Sequence, residues 1–138
     1  MLRPVFVDTG YVTAIVNKHD NLHQQALALA ETYAEQPLVI TDAVLMEIGN
    51  ALSRIARSQS VDIIRYFQQA DEVTLVHSNP ILFNEAMEMY QSYDDKTWGL
   101  VDCLSFVVMK QMNLTTALGF DQHFVQAGFQ LAEKQLYD

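Results

Sequence analysis

The chain has 138 residues and a mass of 15.7 kDa, so we predict a single domain over residues 1–138. Half of the residues are apolar and 18% are charged, a composition that excludes an intrinsically disordered chain. The formal net charge of −9 excludes a protein that coats nucleic acid through broad positive charge. The excess of acidic residues serves either solubility or the binding of cations.

Cysteine usage and hydropathy bear on the compartment. Cys103 is the only cysteine, so no internal disulfide is possible and a reducing compartment is favoured. The longest strongly apolar stretch, Leu100–Met109, is interrupted by Asp102 and is shorter than the roughly 20 residues that span a bilayer. The N-terminus lacks the pattern of a signal peptide. We expect a cytoplasmic protein with no membrane segment.

Short β-rich runs alternate with longer segments of helical periodicity. This alternation is typical of a parallel sheet with helices on both faces, joined by right-handed crossovers. In chain order we predict a strand at Pro4–Val7, a helix at His23–Glu35, a strand at Leu38–Ile40, a helix with an apolar stripe over Val44–Ile55, a helix at Val61–Gln69, a strand at Val73–Val76, a helix opened by Pro80, a central buried helix at Leu100–Met112, and strands at Thr115–Phe120 and Phe129–Ala132.

Two carboxylates directly follow predicted strands. Asp8 comes after the first strand, and Asp121 comes after the run Thr115–Phe120. In open parallel sheets, ligands bind beyond the carboxyl ends of the strands, so these positions are candidates for chemistry. The alternative for each residue is a turn former or a helix N-cap.

Two more carboxylates lie early in helices. Glu47 borders the apolar stripe of the helix after the second strand, and its alternative is a solvated helical glutamate. Asp102 is surrounded by apolar residues, and a carboxylate buried without partners is costly. It is therefore paired, metal-bound, or an N3 residue of a helix capped by Gly99. Ser105, one turn later, is a candidate for orienting it.

Four carboxylates that converge would repel one another without a cation, and hard oxygen ligands suit Mg²⁺ or Mn²⁺. The sequence shows no zinc-ligand spacing, no nucleophile elbow and no glycine-rich phosphate loop. An aspartyl-phosphate nucleophile at Asp8 is disfavoured, since Gly10 stands where such phosphatases have a second Asp. Asn50 and Arg54 follow Glu47 and are candidates for contacts with an RNA backbone, with a solvated helix face as the alternative.

Several segments together resemble the PIN domain of VapC-type toxins. They are Asp8-Thr9-Gly10 after the first strand, Glu47, the stretch 95–106 (DKTWGLVDCLSF) and the stretch 120–129 with its FDQHF and GF pairs. The resemblance covers the whole chain in order. It implies a three-layer α/β/α domain with a five-stranded parallel sheet of order 3-2-1-4-5, and a ribonuclease that depends on Mg²⁺ or Mn²⁺.

The resemblance also implies roles for individual residues. It assigns the catalytic carboxylates, here called the acidic quartet, to Asp8, Glu47, Asp102 and Asp121, of which Asp8, Asp102 and Asp121 hold the metal. Thr9 matches the quartet's Ser/Thr companion and Asp95 a less regular acidic position nearby. The chain departs from the family pattern at Gly10, Gly99 and Val101, where hydroxyl residues are common. His123 is interpreted as a residue that caps or packs in a turn.

Partners follow mainly from the resemblance, which implies an RNA substrate, a homodimer and an antitoxin protein. The slightly positive mean hydropathy leaves apolar surface for an interface. An alternative is a PIN domain that binds metal or RNA without turnover and acts through partners. A structure-specific DNA nuclease is disfavoured, because 138 residues leave no room for basic arms. The aromatic residues proposed for the interface are Tyr33, Phe67, Tyr90 and Tyr93.

Overall fold

Five short parallel strands form one sheet in the computed structural model of the chain, which describes residues 2–133. The order across the sheet is β3-β2-β1-β4-β5, and the paired strands are parallel. This confirms the predicted topology and strand order. The strands are β1 (Val5–Val7), β2 (Leu38–Thr41), β3 (Val73–Val76), β4 (Thr116–Leu118) and β5 (Gln130–Leu131).

Helices connect the strands on both faces of the sheet. Right-handed crossovers put α1 to α4 on one face and α5 to α7 on the other, because the chain reverses its direction across the sheet after β3. The contacts between α1 and α3 and between α5 and α6 agree with this division. The helices are α1 (Thr9–Val16), α2 (His23–Thr32), α3 (Asp42–Leu52), α4 (Arg57–Gln69), α5 (Pro80–Ser92), α6 (Leu100–Gln111) and α7 (His123–Gln126).

The central strand and the helices behind it form the core. Phe6 and Val7 of β1 are fully buried, as predicted for a strand covered on both faces. The Phe6 ring lies 6.1 Å from that of Phe124, which in turn meets Phe106 edge-on at 5.2 Å. These contacts fasten α6 and α7 to the face of β1, and so fix the positions of the residues at their N-termini.

Side-chain caps start two of the helices. The Thr41 hydroxyl accepts a hydrogen bond from the Val44 N–H at 3.1 Å, which starts α3 directly at the end of β2. The Asn79 side-chain oxygen accepts a hydrogen bond of 2.9 Å from the Leu82 N–H at the start of α5, and Pro80 occupies the first helical position. These caps explain why strand and helix follow one another without an intervening loop in the first case.

Several expectations differ from the structure. The short helix α7 was not predicted, and the strand predicted at Thr115–Phe120 ends at Leu118, so Asp121 does not follow it directly. The helix α1 was not predicted, because its sequence is rich in β-branched residues that do not favour a helix by themselves. The helix α3 ends at Leu52, so Arg54 and Ile55 lie in a turn rather than on its face. Phe67 is only 4% exposed and belongs to the core, so its proposed place in an interface was wrong. Within residues 2–133, no helix is long and apolar enough to cross a membrane.

Candidate active site

The first carboxylate lies at the point where the strand order switches. Asp8 follows β1, which has β2 on one side and β4 on the other, and its N–H donates to the Leu118 carbonyl at the end of β4. Asp8 stands at the N-cap position of α1, but its side chain accepts no capping hydrogen bond. Its carboxylate therefore does not cap the helix, which was the alternative that the sequence left open.

Asp8 is buried among like charges. Only 8% of the residue is exposed. Burial, and after it the negative charges of Asp102, Glu47 and Asp121, raise the pKa of Asp8 from 3.8 to about 7, against the lowering effect of a hydrogen bond from the Thr9 backbone. The other three members of the acidic quartet thus all act on Asp8, so the sheet edge brings the four together.

Gly119 makes room for the buried carboxylate. It follows β4 directly beside Asp8, and a Cβ atom added to it would lie 3.0 Å from the Asp8 Cβ and 3.4 Å from Oδ2. Any larger residue at 119 would press on the Asp8 side chain. This close approach was not recognised in the sequence, where Gly119 reads only as the end of a strand.

Glu47 is held towards Asp8 by a neighbour of Asp8. The Thr9 hydroxyl, in the first turn of α1, donates a hydrogen bond of 2.7 Å to Glu47 Oε1 on α3. The pair is partly buried and joins two helices that pack together on one face of the sheet. The Thr9 side chain therefore contacts Glu47, while its backbone hydrogen-bonds Asp8.

Asp102 combines two of the roles that the sequence offered as alternatives. Its Oδ2 accepts a hydrogen bond of 3.0 Å from the Gly99 N–H at the start of α6, which is a capping contact. The same oxygen lies 3.1 Å from His123 Nδ1. The carboxylate caps its helix and still faces the pocket.

The two oxygens of the Asp121 carboxylate make different contacts. Oδ1 accepts a hydrogen bond of 2.9 Å from the His123 backbone N–H, which forms the predicted turn. Oδ2 lies 3.3 Å from His123 Nδ1. Atoms of Asp102, Asp121 and His123 lie within 4.8 Å of one another and could hold a metal ion. His123 was assigned to the turn alone, so its contact with both carboxylates was missed.

A family model for the PIN domain matches residues 5–130. The chain belongs to the PIN domain family. A curated relative is the 23S rRNA-specific endonuclease VapC20 of Mycobacterium tuberculosis, 29% identical over 127 residues that cover 91% of this chain and 95% of the relative.

Solved structures agree with the family assignment. The crystal structure of Mycobacterium tuberculosis VapC20, described as a Sarcin-Ricin loop cleaving toxin, has a TM-score of 0.81 at 27% identity and covers 91% of this chain and 95% of its own. FitAcB of Neisseria gonorrhoeae (TM-score 0.64, 12% identity) and VapBC-1 of nontypeable Haemophilus influenzae (0.65, 14%) each cover 94% of this chain and 97% of their own. These two likenesses show the PIN fold alone.

Two supporting residues proposed from the sequence make other contacts in this PIN domain. The Ser105 hydroxyl donates to the Val101 carbonyl of its own helix at 3.0 Å rather than to Asp102. Asp95 is exposed and pairs with Lys96 at 3.3 Å. Their supporting roles stay predictions, without a direct contact to the quartet.

The proposed RNA contacts lie on the α3 side of the PIN domain. Asn50 is exposed on α3 and lines a groove of about 440 Å³ between α3, α4 and β3. Arg54 is exposed in the turn after α3. Both are accessible to a large substrate, and their roles stay predictions.

The departures from the PIN pattern have simple surroundings. Gly10 is exposed, with no atom within 4 Å of an added Cβ. Gly99 lacks the hydroxyl that often caps the helix, yet its N–H is satisfied by Asp102. Val101 provides only its carbonyl, to Ser105. These departures leave all four carboxylates in place.

Proposed function

We propose that this PIN domain is an endoribonuclease that hydrolyses RNA phosphodiester bonds with Mg²⁺ or Mn²⁺, and that it is the toxin of a toxin–antitoxin pair. One observation carries the proposal: the buried Asp8 carboxylate at the end of the central strand, surrounded by three further carboxylates. Such repulsion between carboxylates is unfavourable for folding, and clusters of this kind are typical of functional sites.

The residues of the pocket fit a divalent cation. Burial, and after it three like charges, raise the pKa of Asp8, and a cation beside this carboxylate would offset both effects. Carboxylate oxygens are the ligands preferred by Mg²⁺ and Mn²⁺. Asp8, Asp102 and Asp121 would hold the ion. When bound, the ion would polarise the scissile phosphate and lower the pKa of a water molecule.

The chain's own residues have the following tasks in this proposal. Asp8 would provide the buried negative charge that holds the cation at the end of the central strand. Glu47, held by the Thr9 hydroxyl at 2.7 Å, orients the attacking water and accepts its proton. The Gly99 N–H and the His123 N–H hold Asp102 and Asp121 in place. Asn50 and Arg54 bind the RNA backbone away from the cut.

The relative VapC20 suggests the first substrate to test. It is a 23S rRNA-specific endonuclease, and its crystal structure is described as that of a toxin that cleaves the Sarcin-Ricin loop. We propose ribosomal RNA as the substrate class for this chain. Its net charge of −9 disfavours broad, sequence-blind RNA binding and is consistent with recognition of one folded target.

The test is cleavage of total RNA and of ribosomes by the purified chain with Mg²⁺, with Mn²⁺ and with EDTA. We expect discrete fragments with either ion and none with EDTA or with Asp8→Asn. Equal cleavage by the parent and the variant would contradict the proposal. Tight metal binding without cleavage of any cellular RNA would favour the non-catalytic PIN domain.

Two partners belong to the proposal. Exposed apolar residues along α5 and after it support a homodimer; they are Ile81, Phe83, Met87, Tyr90 and Tyr93. The acidic pocket supports an antitoxin whose Arg or Lys enters and pairs with the quartet. We expect light scattering to give twice 15.7 kDa, and growth arrest when the chain is expressed alone. A monomer would contradict the dimer, and harmless expression would contradict the toxin role.

A further inference from the structure

We propose that His123 is itself a ligand of the metal ion in this pocket, which makes the site a mixed nitrogen and oxygen site rather than a purely acidic one. The inference rests on the proposed metal-dependent nuclease. Three observations carry it: the direction of Nδ1, the spacing of the three candidate ligand atoms, and the support behind the ring.

The Nδ1 atom of His123 faces the two carboxylates together. It lies 3.1 Å from Asp102 Oδ2 and 3.3 Å from Asp121 Oδ2. The His123 side chain is 23% exposed, so its ring is largely enclosed. Its backbone N–H is bound to Asp121 Oδ1 at 2.9 Å, which fixes the residue at the start of α7. The ring is therefore anchored beside the pocket.

The distances from Nδ1 to the two carboxylate oxygens are compatible with ligands that share one ion, and the candidate ligand atoms of the three residues lie within 4.8 Å of one another. Neighbouring ligands of an octahedral ion at about 2.1 Å are separated by about 3.0 Å, since the edge of an octahedron is 1.4 times its radius. The two distances from Nδ1, 3.1 and 3.3 Å, are close to this value. Without an ion, Nδ1 must carry a hydrogen, because both carboxylate oxygens only accept. A cation between the three atoms would take the place of that hydrogen.

The other ring nitrogen has the partner that a metal-binding histidine needs. Nε2 lies 3.1 Å from the Thr97 hydroxyl, which can either donate or accept. When Nδ1 presents its lone pair to an ion, the hydrogen sits on Nε2 and the Thr97 oxygen accepts it. Such an outer partner orients the ring and is usual behind a metal-bound histidine.

A nitrogen ligand changes which ions the site prefers. Imidazole suits transition-metal ions, whereas Mg²⁺ prefers oxygen ligands throughout. We therefore expect His123 to favour Mn²⁺ over Mg²⁺, and its loss to narrow the difference in affinity between the two ions. A histidine that only bridges the two carboxylates would leave this difference unchanged.

The experiment is pulsed electron paramagnetic resonance of Mn²⁺ bound to the full chain, with and without ¹⁵N-labelled histidine. We expect a directly bound nitrogen whose coupling changes with the label and is absent in His123→Gln. By titration, His123→Gln should bind Mn²⁺ about 10-fold more weakly, with a smaller loss for Mg²⁺. Thr97→Val should weaken Mn²⁺ binding less and keep the nitrogen coupling.

His19→Gln is the matched control, since His19 is exposed, and it should match the parent. Circular dichroism checks the fold of each variant, and the labelling of the unmutated chain needs no variant at all. Bound Mn²⁺ without a histidine nitrogen, or an unchanged Mn²⁺ affinity in a folded His123→Gln, would overturn the inference and leave the nuclease proposal standing. A parent chain that binds no Mn²⁺ and cleaves RNA in EDTA would overturn both.

Discussion

The two halves of the acidic pocket, Asp8 with Glu47 and Asp102 with Asp121, differ in the groups that surround their carboxylates. On one side Asp8 is buried, its pKa is raised to about 7, and Glu47 next to it is held by a neutral hydroxyl. On the other side Asp102 and Asp121 are more exposed and share the imidazole of His123. The contacts described for the Asp8 half include no nitrogen side chain, whereas in the other half an imidazole nitrogen lies between the two carboxylates.

The difference identifies where a cation contributes most. Burial and like charges make the Asp8 half unfavourable by itself, so an ion there stabilises both the fold and the site. The His123 half is organised by hydrogen bonds from two helix starts even without an ion. We therefore expect the α6 and α7 side to preorganise the proposed metal site, and the buried charge of Asp8 to contribute most to its affinity for the ion. The following variants test this division, from the largest expected effect to the smallest.

Asp8→Asn should have the largest effect, because it removes the most buried charge. We expect a loss of RNA cleavage on the order of 100- to 1,000-fold, as several kcal/mol of transition-state stabilisation disappear. The measurement is the single-turnover cleavage rate with Mn²⁺. Asp62→Asn, at an exposed position on α4, is the control and should match the parent. A loss of less than tenfold would place the important charge in the other half.

The stability of the metal-free chain should fall as the pH rises. The pKa of Asp8 is raised from 3.8 to about 7, so the folded state keeps a proton that the unfolded state has lost. Between about pH 4 and 7 the free energy of unfolding should therefore decrease, by up to about 4 kcal/mol. Urea unfolding in EDTA measures this. Asp8→Asn should flatten the dependence, and an equally steep curve in that variant would assign it to other groups.

Gly119→Ala should disturb the Asp8 half through packing alone. The added Cβ would lie 3.0 Å from the Asp8 Cβ, and relief of such a contact costs about 1–3 kcal/mol. We expect lower stability together with slower cleavage. Gly10→Ala is the matched control, since its Cβ meets no atom within 4 Å, and it should be neutral or slightly stabilising. Equal behaviour of the two variants would show that the close approach is tolerated.

Thr9→Val should have the smallest effect of the series. It removes the 2.7 Å hydrogen bond to Glu47 but keeps the shape of the side chain. We expect a loss of about 1 kcal/mol in stability and about tenfold in cleavage rate. Thr9→Ser should restore most of the rate, and Thr13→Val, on the same helix, should not change it. A Thr9→Val variant with full activity would mean that Glu47 needs no positioning.

The sequence by itself determined the order of the five strands and of the longer helices, and it indicated the carboxylates of the acidic quartet as candidates. Short apolar runs indicate strands that are buried on both faces, and long segments with a 3.6-residue apolar period indicate helices. Both patterns can be recognised without knowing the tertiary contacts. Asp8 and Asp121 could be found since ligands collect at the carboxyl ends of parallel strands. Asp102 could be recognised as unusual because it lies in an apolar segment, where burying a charge without a partner is costly.

Only the tertiary structure decided the partners of these carboxylates. Nothing local to His123 indicates that its ring turns from its own loop to Asp102, a residue 21 positions earlier on another helix. The Thr9–Glu47 bond spans 38 positions and depends on the packing of α1 against α3. The segment of α1 becomes helical only because its apolar residues are buried there, which overrides a β-branched local preference. Contacts between distant segments leave no periodic pattern in the sequence from which they could be predicted. The geometry of this site consists of such contacts.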